Sequence, residues 1–392
     1  MFSILNLLVF LIPFCLASAS SAEPYSLFSI VFLLFLAVFS VFWILSRGFP
    51  VEKLRPIKTP FILTLLFFGI AIICSWRQLV DPKDIHRYFT GFILFAIAIS
   101  LSPKEKNHLV YGILGAAICV SFMAIYQYFF GFQFLQSYAN ERNIQDLFVL
   151  EKIAERRVFS PFPSPGILAG YLSMVLPLLL SLKRGKLLLL LPIALALLLT
   201  RSLGALLSLT LVSMILLITN NPSPKKKFWV PLILGAIVVG IFFMRTYAHP
   251  THLLPIFSME RRLNYWSGTW DLIRAQPWFG TRLGSFDLPG NSTYAHNMVL
   301  QLWAEAGIGS VIAFFWMVVA ILRKGWRNLQ GSLEKNQQLG LFAGVCVFLV
   351  YNMTDITFFL PATSFLGWLM MGLLFSTTSE ETPKSGVNIS HP

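Results

Sequence analysis

Apolar residues along this chain come in blocks of 14 to 22, parted by short polar stretches. The blocks are Ile4–Ser21, Leu27–Leu45, Phe61–Trp76, Tyr88–Leu101, Leu109–Phe130, Gly166–Leu182, Leu187–Thr200, Leu203–Thr219, Phe228–Met244, Gly307–Leu322, Leu339–Met353 and Phe358–Phe375. A bilayer-crossing helix needs about 20 mainly apolar residues. The pattern therefore predicts an all-α, polytopic membrane protein with about 12 transmembrane helices. Residues 1–376 form one integral membrane domain, and 377–392 a short polar tail expected to be disordered. The longest polar stretch, about 246–305, lies between the ninth and tenth blocks and is expected to form a large outer loop.

The run Leu187–Thr219 tests this layout. As a single helix it would measure about 50 Å, against a hydrocarbon core of about 30 Å. It would also put Lys183–Lys186 and Lys225–Lys227 on opposite sides of the membrane. Two helices turning at Thr200-Arg201-Ser202-Leu203-Gly204 keep both basic groups on one side.

Composition agrees with the pattern. Hydrophobic residues make up 56% of the chain, charged ones 12%, and mean hydropathy is +0.72, which excludes a soluble domain of this size. The net charge of +13 follows the loops. With the N-terminus inside, the inner loops hold 17 Lys and Arg against 5 acids, and the outer ones 13 against 12. This is the positive-inside signature, not a nucleic-acid patch, and both termini are predicted cytoplasmic. Ile4–Leu16 followed by Ala17-Ser18-Ala19 resembles a signal peptide, but the leading residues lack Lys and Arg, so a retained first helix is expected. Cys15, Cys74, Cys119 and Cys346 lie in apolar blocks without metal or redox spacing and are expected in the membrane core.

Candidate chemistry gathers on the outer side. There the chain uses 11 Arg and 2 Lys, against 5 Arg and 12 Lys inside. Lysine suffices as a topology anchor, whereas the planar guanidinium grips phosphate with two parallel hydrogen bonds. Arg201 stands between almost wholly apolar segments, where a charge usually faces a cavity or a ligand. Arg262 to Ile273 reads as an amphipathic interfacial helix with Leu263, Trp266, Trp270 and Ile273 as its stripe, ending at Pro277. Gly280-Thr281-Arg282-Leu283-Gly284 is a flexible connector. In Tyr294-Ala295-His296-Asn297, Asn297 is the expected helix N-cap, and Glu305 follows a few turns on. An imidazole at His296 can take a proton from a hydroxyl at neutral pH.

Four motifs resemble, in order, the O-antigen ligase and O-antigen polymerase-like membrane proteins. They are Thr200 to Leu207, Arg262-Leu263-x-x-Trp266, Pro277-x-x-Gly280, and His296-Asn297-x-x-Leu300-Gln301-x-x-x-Glu305-x-Gly307. The segment Arg157 to Leu172 resembles the family's upstream region, and the likeness spans about 155–325. Ser202 and Arg282 depart from it, since the family carries glycine at both places.

The resemblance implies glycan transfer from a polyprenyl (undecaprenyl) diphosphate to lipid A-core. The expected place is the periplasmic face of a bacterial inner membrane, with the outer loop periplasmic. His296, Arg262 and Arg201 are then the expected catalytic residues. Arg157, Arg261, Arg282, Tyr294, Asn297 and Glu305 are the expected substrate-binding ones. The diphosphate leaves readily as an anion, so the chemistry asks for positive charge and one base, and implies inversion. No paired glycosidase carboxylates and no Asp-x-Asp appear, so no metal and no cofactor are expected. The expected partners are the carrier-linked glycan, lipid A-core and membrane lipids, with no nucleic acid. An O-antigen polymerase and a small-anion, bicarbonate-like transporter are the alternatives. Against transport, most spans lack mid-membrane charge and no internal repeat is visible.

Overall fold

The computed structural model describes residues 1–17, 25–75, 82–142, 150, 153–219, 224–248, 257–281, 283–284, 286, 288, 292–331 and 334–376. Among these residues the chain is all-helical, apart from one isolated β-bridge between Leu288 and Ser292. The first seven helices of ten or more residues are α1 (Phe2–Cys15), α2 (Leu27–Arg47), α3 (Lys58–Ser75), α4 (Pro82–Ser100), α5 (Pro103–Tyr126), α6 (Phe132–Glu141) and α7 (Pro165–Val175). The rest are α8 (Lys186–Leu199), α9 (Leu203–Thr219), α10 (Pro224–Ala248), α11 (Phe257–Ala275), α12 (Met298–Gly331), α13 (Lys335–Tyr351) and α14 (Pro361–Phe375). Within the described residues each predicted apolar block overlaps one of them. The split of Leu187–Thr219 into α8 and α9 is present. Among the described residues, four helical stretches are long and apolar enough to cross a membrane: Leu27–Arg47, Val51–Cys74, Pro103–Glu141 and Met298–Gln330. Seven further apolar helices are shorter. Helix α6 was not expected from the pattern. The tail 377–392, His249, His252 and part of the polar loop lie outside the described residues.

Helix α14 forms the centre. All of Pro361–Phe375 is buried, as expected for a helix apolar on every side. It packs against α4, α13, α12 and α1. Gly91 and Gly372 allow the closest approach to α4, because a Cβ at either would overlap Trp368 or Phe95. Outer helices show the opposite pattern. On α2, Leu27, Leu34, Val38 and Leu45 are each more than 60% exposed, an apolar face suited to lipid. Cys74 and Cys119 belong to that outer surface rather than to the packed interior, while Cys15 is buried.

Contacts between helix ends sort into two groups. Arg47 pairs with Glu105, Lys53 reaches the Ile99 carbonyl, and Asn107 reaches Glu334. At the other set of ends Arg87 meets Glu305, Arg157 meets Thr200, and Arg262 meets Asp355. Each pair joins segments that the alternating layout puts on one side. The candidate chemistry all belongs to the second group.

Candidate active site

The α8–α9 turn is built around a strained residue. Arg201 has φ +51°, a left-handed conformation that costs a non-glycine residue on the order of 1–3 kcal/mol. Among the described residues Arg156 and His296 are the other non-glycine cases, at φ +50° and +51°. The turn is held from outside. Arg157 Nε donates to the Thr200 carbonyl at 2.9 Å, and Val158 N donates to the Leu199 carbonyl at 3.3 Å. Arg157 Nη1 also pairs with Glu155 at 3.3 Å. Arg157, expected as a substrate ligand, thus has its guanidinium engaged in supporting the turn.

The turn rests on the end of α13. A Cβ added at Gly204 would stand 3.2 Å from the Tyr351 ring, so the backbones come close there. Ser202 lies near the Tyr351 hydroxyl. That hydroxyl lies 2.9 Å from both the Gly166 carbonyl and Asp355 Oδ2, so its single proton serves two acceptors. Asp355 is 6% exposed, and its Oδ1 accepts from Ile356 N at 2.8 Å. Arg262, on α11, approaches Asp355 Oδ2 at 3.5 Å, a long contact that leaves the guanidinium partly open.

His296 reaches the same place from the start of α12. Asn297 is the N-cap, as its type predicted: Oδ1 accepts from Val299 N at 3.0 Å and Leu300 N at 3.1 Å. Its Nδ2 donates to the Met353 carbonyl at 2.9 Å, and Met298 N donates to the Asn352 carbonyl at 2.8 Å. The His296 segment is therefore fastened to the turn that carries Asp355. The imidazole stacks on Tyr265, with ring centroids 5.5 Å apart, and its Nδ1 is buried with no partner among the described residues. Burial pushes the imidazole pKa down to about 4; Arg262 and Arg261 add to this, while Asp355 opposes it. Tyr294 is buried and stacks on Phe359, so it supports the segment from below.

Glu305 is a structural anchor. It is wholly buried, and Arg87 Nη2 lies 2.6 Å from Oε2 and 2.7 Å from Oε1. The Tyr88 hydroxyl donates to Oε2 at 2.6 Å and Gln301 Nε2 to Oε1 at 2.7 Å. Gln301 also donates to the Gly284 carbonyl and accepts from Ala295 N, just before His296. Glu305 thus braces the histidine segment through Gln301, and its oxygens are already occupied.

The connector near Gly280 interlocks with α12. Helix α12 breaks at Gly307, φ +76°, so the Ile308 N–H and the Ala304 carbonyl lose each other. Ile308 N instead donates to the Pro277 carbonyl at 3.0 Å, and Thr281 N donates to the Ala304 carbonyl at 2.8 Å. Helix α11 itself begins at Phe257, before the expected Arg262. Its stripe is divided: Ile273 is buried with Phe286, Leu288 and Ala304, Trp270 meets Trp303 edge-on, and Leu263 stays exposed. Arg282 lies outside the described residues.

Arg201's turn, Arg262 and His296 therefore meet around Tyr351 and Asp355, with Arg261 adding positive charge near the imidazole. Sequence reasoning missed Asp355, Tyr351 and Arg87. Asp355 did carry a signal, as the lone acid between Glu334 and Glu380.

No curated protein and no solved structure matches the chain. Residues 187–315 match the family model described as O-Antigen ligase. The match spans the Arg201 turn, Arg261, Arg262, His296, Gln301 and Glu305, but neither Arg157 nor Asp355. Over these residues, about a third of the chain, the protein is similar to the O-antigen ligase family of membrane proteins.

Proposed function

We propose that this protein transfers a glycan from a polyprenyl diphosphate to lipid A-core, at the periplasmic face of a bacterial inner membrane. The observation that carries the reading is the convergence of the Arg201 turn, Arg262 and His296 on Tyr351–Asp355. Positive charge and one uncharged base share a site at the helix ends.

In this reading Arg201 and Arg262, with Arg261 and Arg282, bind the diphosphate and stabilise the charge that grows on it as the glycosidic C–O bond breaks. His296 takes the proton of the attacking hydroxyl on the opposite side of the anomeric carbon. The acceptor oxygen bonds to that carbon, the configuration inverts, and polyprenyl diphosphate departs. Asp355 steadies the imidazolium. Arg157, Tyr294, Asn297 and Glu305 hold these groups in place. A base so placed typically contributes about 10²–10⁴ in rate.

With its pKa near 4, His296 is by itself a weak base. A bound diphosphate offsets the positive charge of Arg261 and Arg262, so substrate binding itself strengthens the base. The test is product analysis from purified protein in liposomes given both substrates. Glycosylated lipid A-core supports the ligase. Longer glycan still on its carrier identifies a polymerase, and absence of both products from folded protein overturns the proposal.

A further inference from the structure

A cavity of about 580 Å³ lies beside the Arg201 turn and takes no part in the chemistry above. One wall is α6, which presents Gln133, Gln136 and Asn140 to it. These positions, three and four apart, share one helical face. All three side chains are exposed, and none has a hydrogen-bond partner among the described residues. Facing them is Arg156, held at φ +50° with its guanidinium 5.6 Å over the Tyr128 ring. The next two residues, Arg157 and Val158, are the ones bonded to the Thr200 and Leu199 carbonyls. One short strand of chain therefore joins the cavity wall to the Arg201 turn.

The lining chooses among ligands. Phe132, Ala139, Leu150, Ile153 and Ala154 also line the cavity and would pack against the C–H faces of a sugar as well as against a prenyl chain, but a prenyl chain would return no hydrogen bond to the three amides or Arg156. A diphosphate would meet amide carbonyls and a single guanidinium. A sugar matches better, because each hydroxyl both donates and accepts, as does each primary amide. The volume is within the roughly 300–1,000 Å³ of small-molecule sites. Phe134 and Tyr138, stacked on the neighbouring face of α6 and exposed, suit a helix lying at a membrane boundary where a lipid-linked glycan emerges.

We propose that this cavity is a carbohydrate subsite, seating a neutral sugar segment of one of the two glycan substrates. The proposal rests on the glycosyl-transfer reading for the identity of its ligand, but not for the binding itself. Donor glycan and acceptor core share the required chemistry, and the test separates them.

Saturation-transfer NMR on the full chain in nanodiscs, with two soluble probes, provides that test. The probes are the carrier-free O-antigen repeat oligosaccharide and the delipidated core oligosaccharide. One of them should bind the wild-type protein. Its affinity should fall at least tenfold in the triple variant Gln133→Ala, Gln136→Ala, Asn140→Ala, and likewise in Gln136→Trp, which fills the space. The probe that responds names the source. Binding of neither probe, or binding indifferent to both variants, would overturn the subsite. Sugar binding without any transfer would leave the subsite standing and remove the glycosyl-transfer reading instead.

Discussion

Arg87 closes on Glu305 at 2.6 Å, joining the start of α4 to the start of α12 across 218 residues of chain. Both side chains are at most 3% exposed. Breaking a buried pair by removing one partner costs about 3–5 kcal/mol, because the survivor is left charged and uncompensated. Arg87→Ala and Glu305→Ala should each lower the unfolding midpoint in detergent by many degrees. The double variant should recover part of the loss. Additive losses would mean that the two side chains act separately.

The Gly280–Gly307 interlock makes a second prediction. A Cβ at Gly307 would overlap the Trp278 carbonyl, and one at Gly280 would overlap the Glu305 backbone. Both glycines also have positive φ, at +76° and +75°. Alanine at either site should therefore cost at least the roughly 1–3 kcal/mol of a strained residue. The folded fraction after membrane extraction reads this directly. Gly235, with open space around it, should accept alanine and is the control.

Asp355 is a positioning residue for Arg262 and His296. Asp355→Asn keeps the shape but removes the charge that steadies an imidazolium, and transfer should slow by about 10–100-fold, which is 1.4–2.7 kcal/mol in the barrier. Tyr351→Phe, which removes the hydroxyl shared by Asp355 and the Gly166 carbonyl but no charge, should cost less. Steady-state rates in liposomes at saturating donor give both numbers, and equal rates for Asp355→Asn and wild type would remove Asp355 from the mechanism.

The His296 environment has a pH signature. The folded imidazole titrates near 4, below its ordinary 6.5, so the unfolded chain holds more protons between these values. Stability from this residue is complete above pH 6.5 and is lost as pH falls from 6.5 towards 4. His296→Ala should flatten that part of the wild-type curve of unfolding midpoint against pH. Inorganic pyrophosphate should raise the His296 pKa, seen in the imidazole NMR shifts of protein in nanodiscs.

Local patterns were read correctly from the chain because their causes are local. Thr200-Arg201-Ser202 turns where an over-long apolar run met two basic flanks. Asn297 caps α12 because its oxygen reaches N–H groups two and three residues on. The partners of these segments were hidden, since Tyr351–Asp355 lies 55 residues or more beyond His296 and Arg87 more than 200 before Glu305. Nothing in the sequence near Glu305 reveals that its oxygens are taken. The role of Gly307 was equally out of reach, because the groups its break releases are satisfied by the Pro277–Thr281 turn.

Transfer by the purified protein in liposomes should be compared between wild type, Arg201→Ala, Arg262→Ala and His296→Ala. Wild type should give glycosylated lipid A-core, and each variant should fold yet turn over at less than about a tenth of the wild-type rate. Wild-type turnover in both His296→Ala and Arg262→Ala would remove these residues from the chemistry.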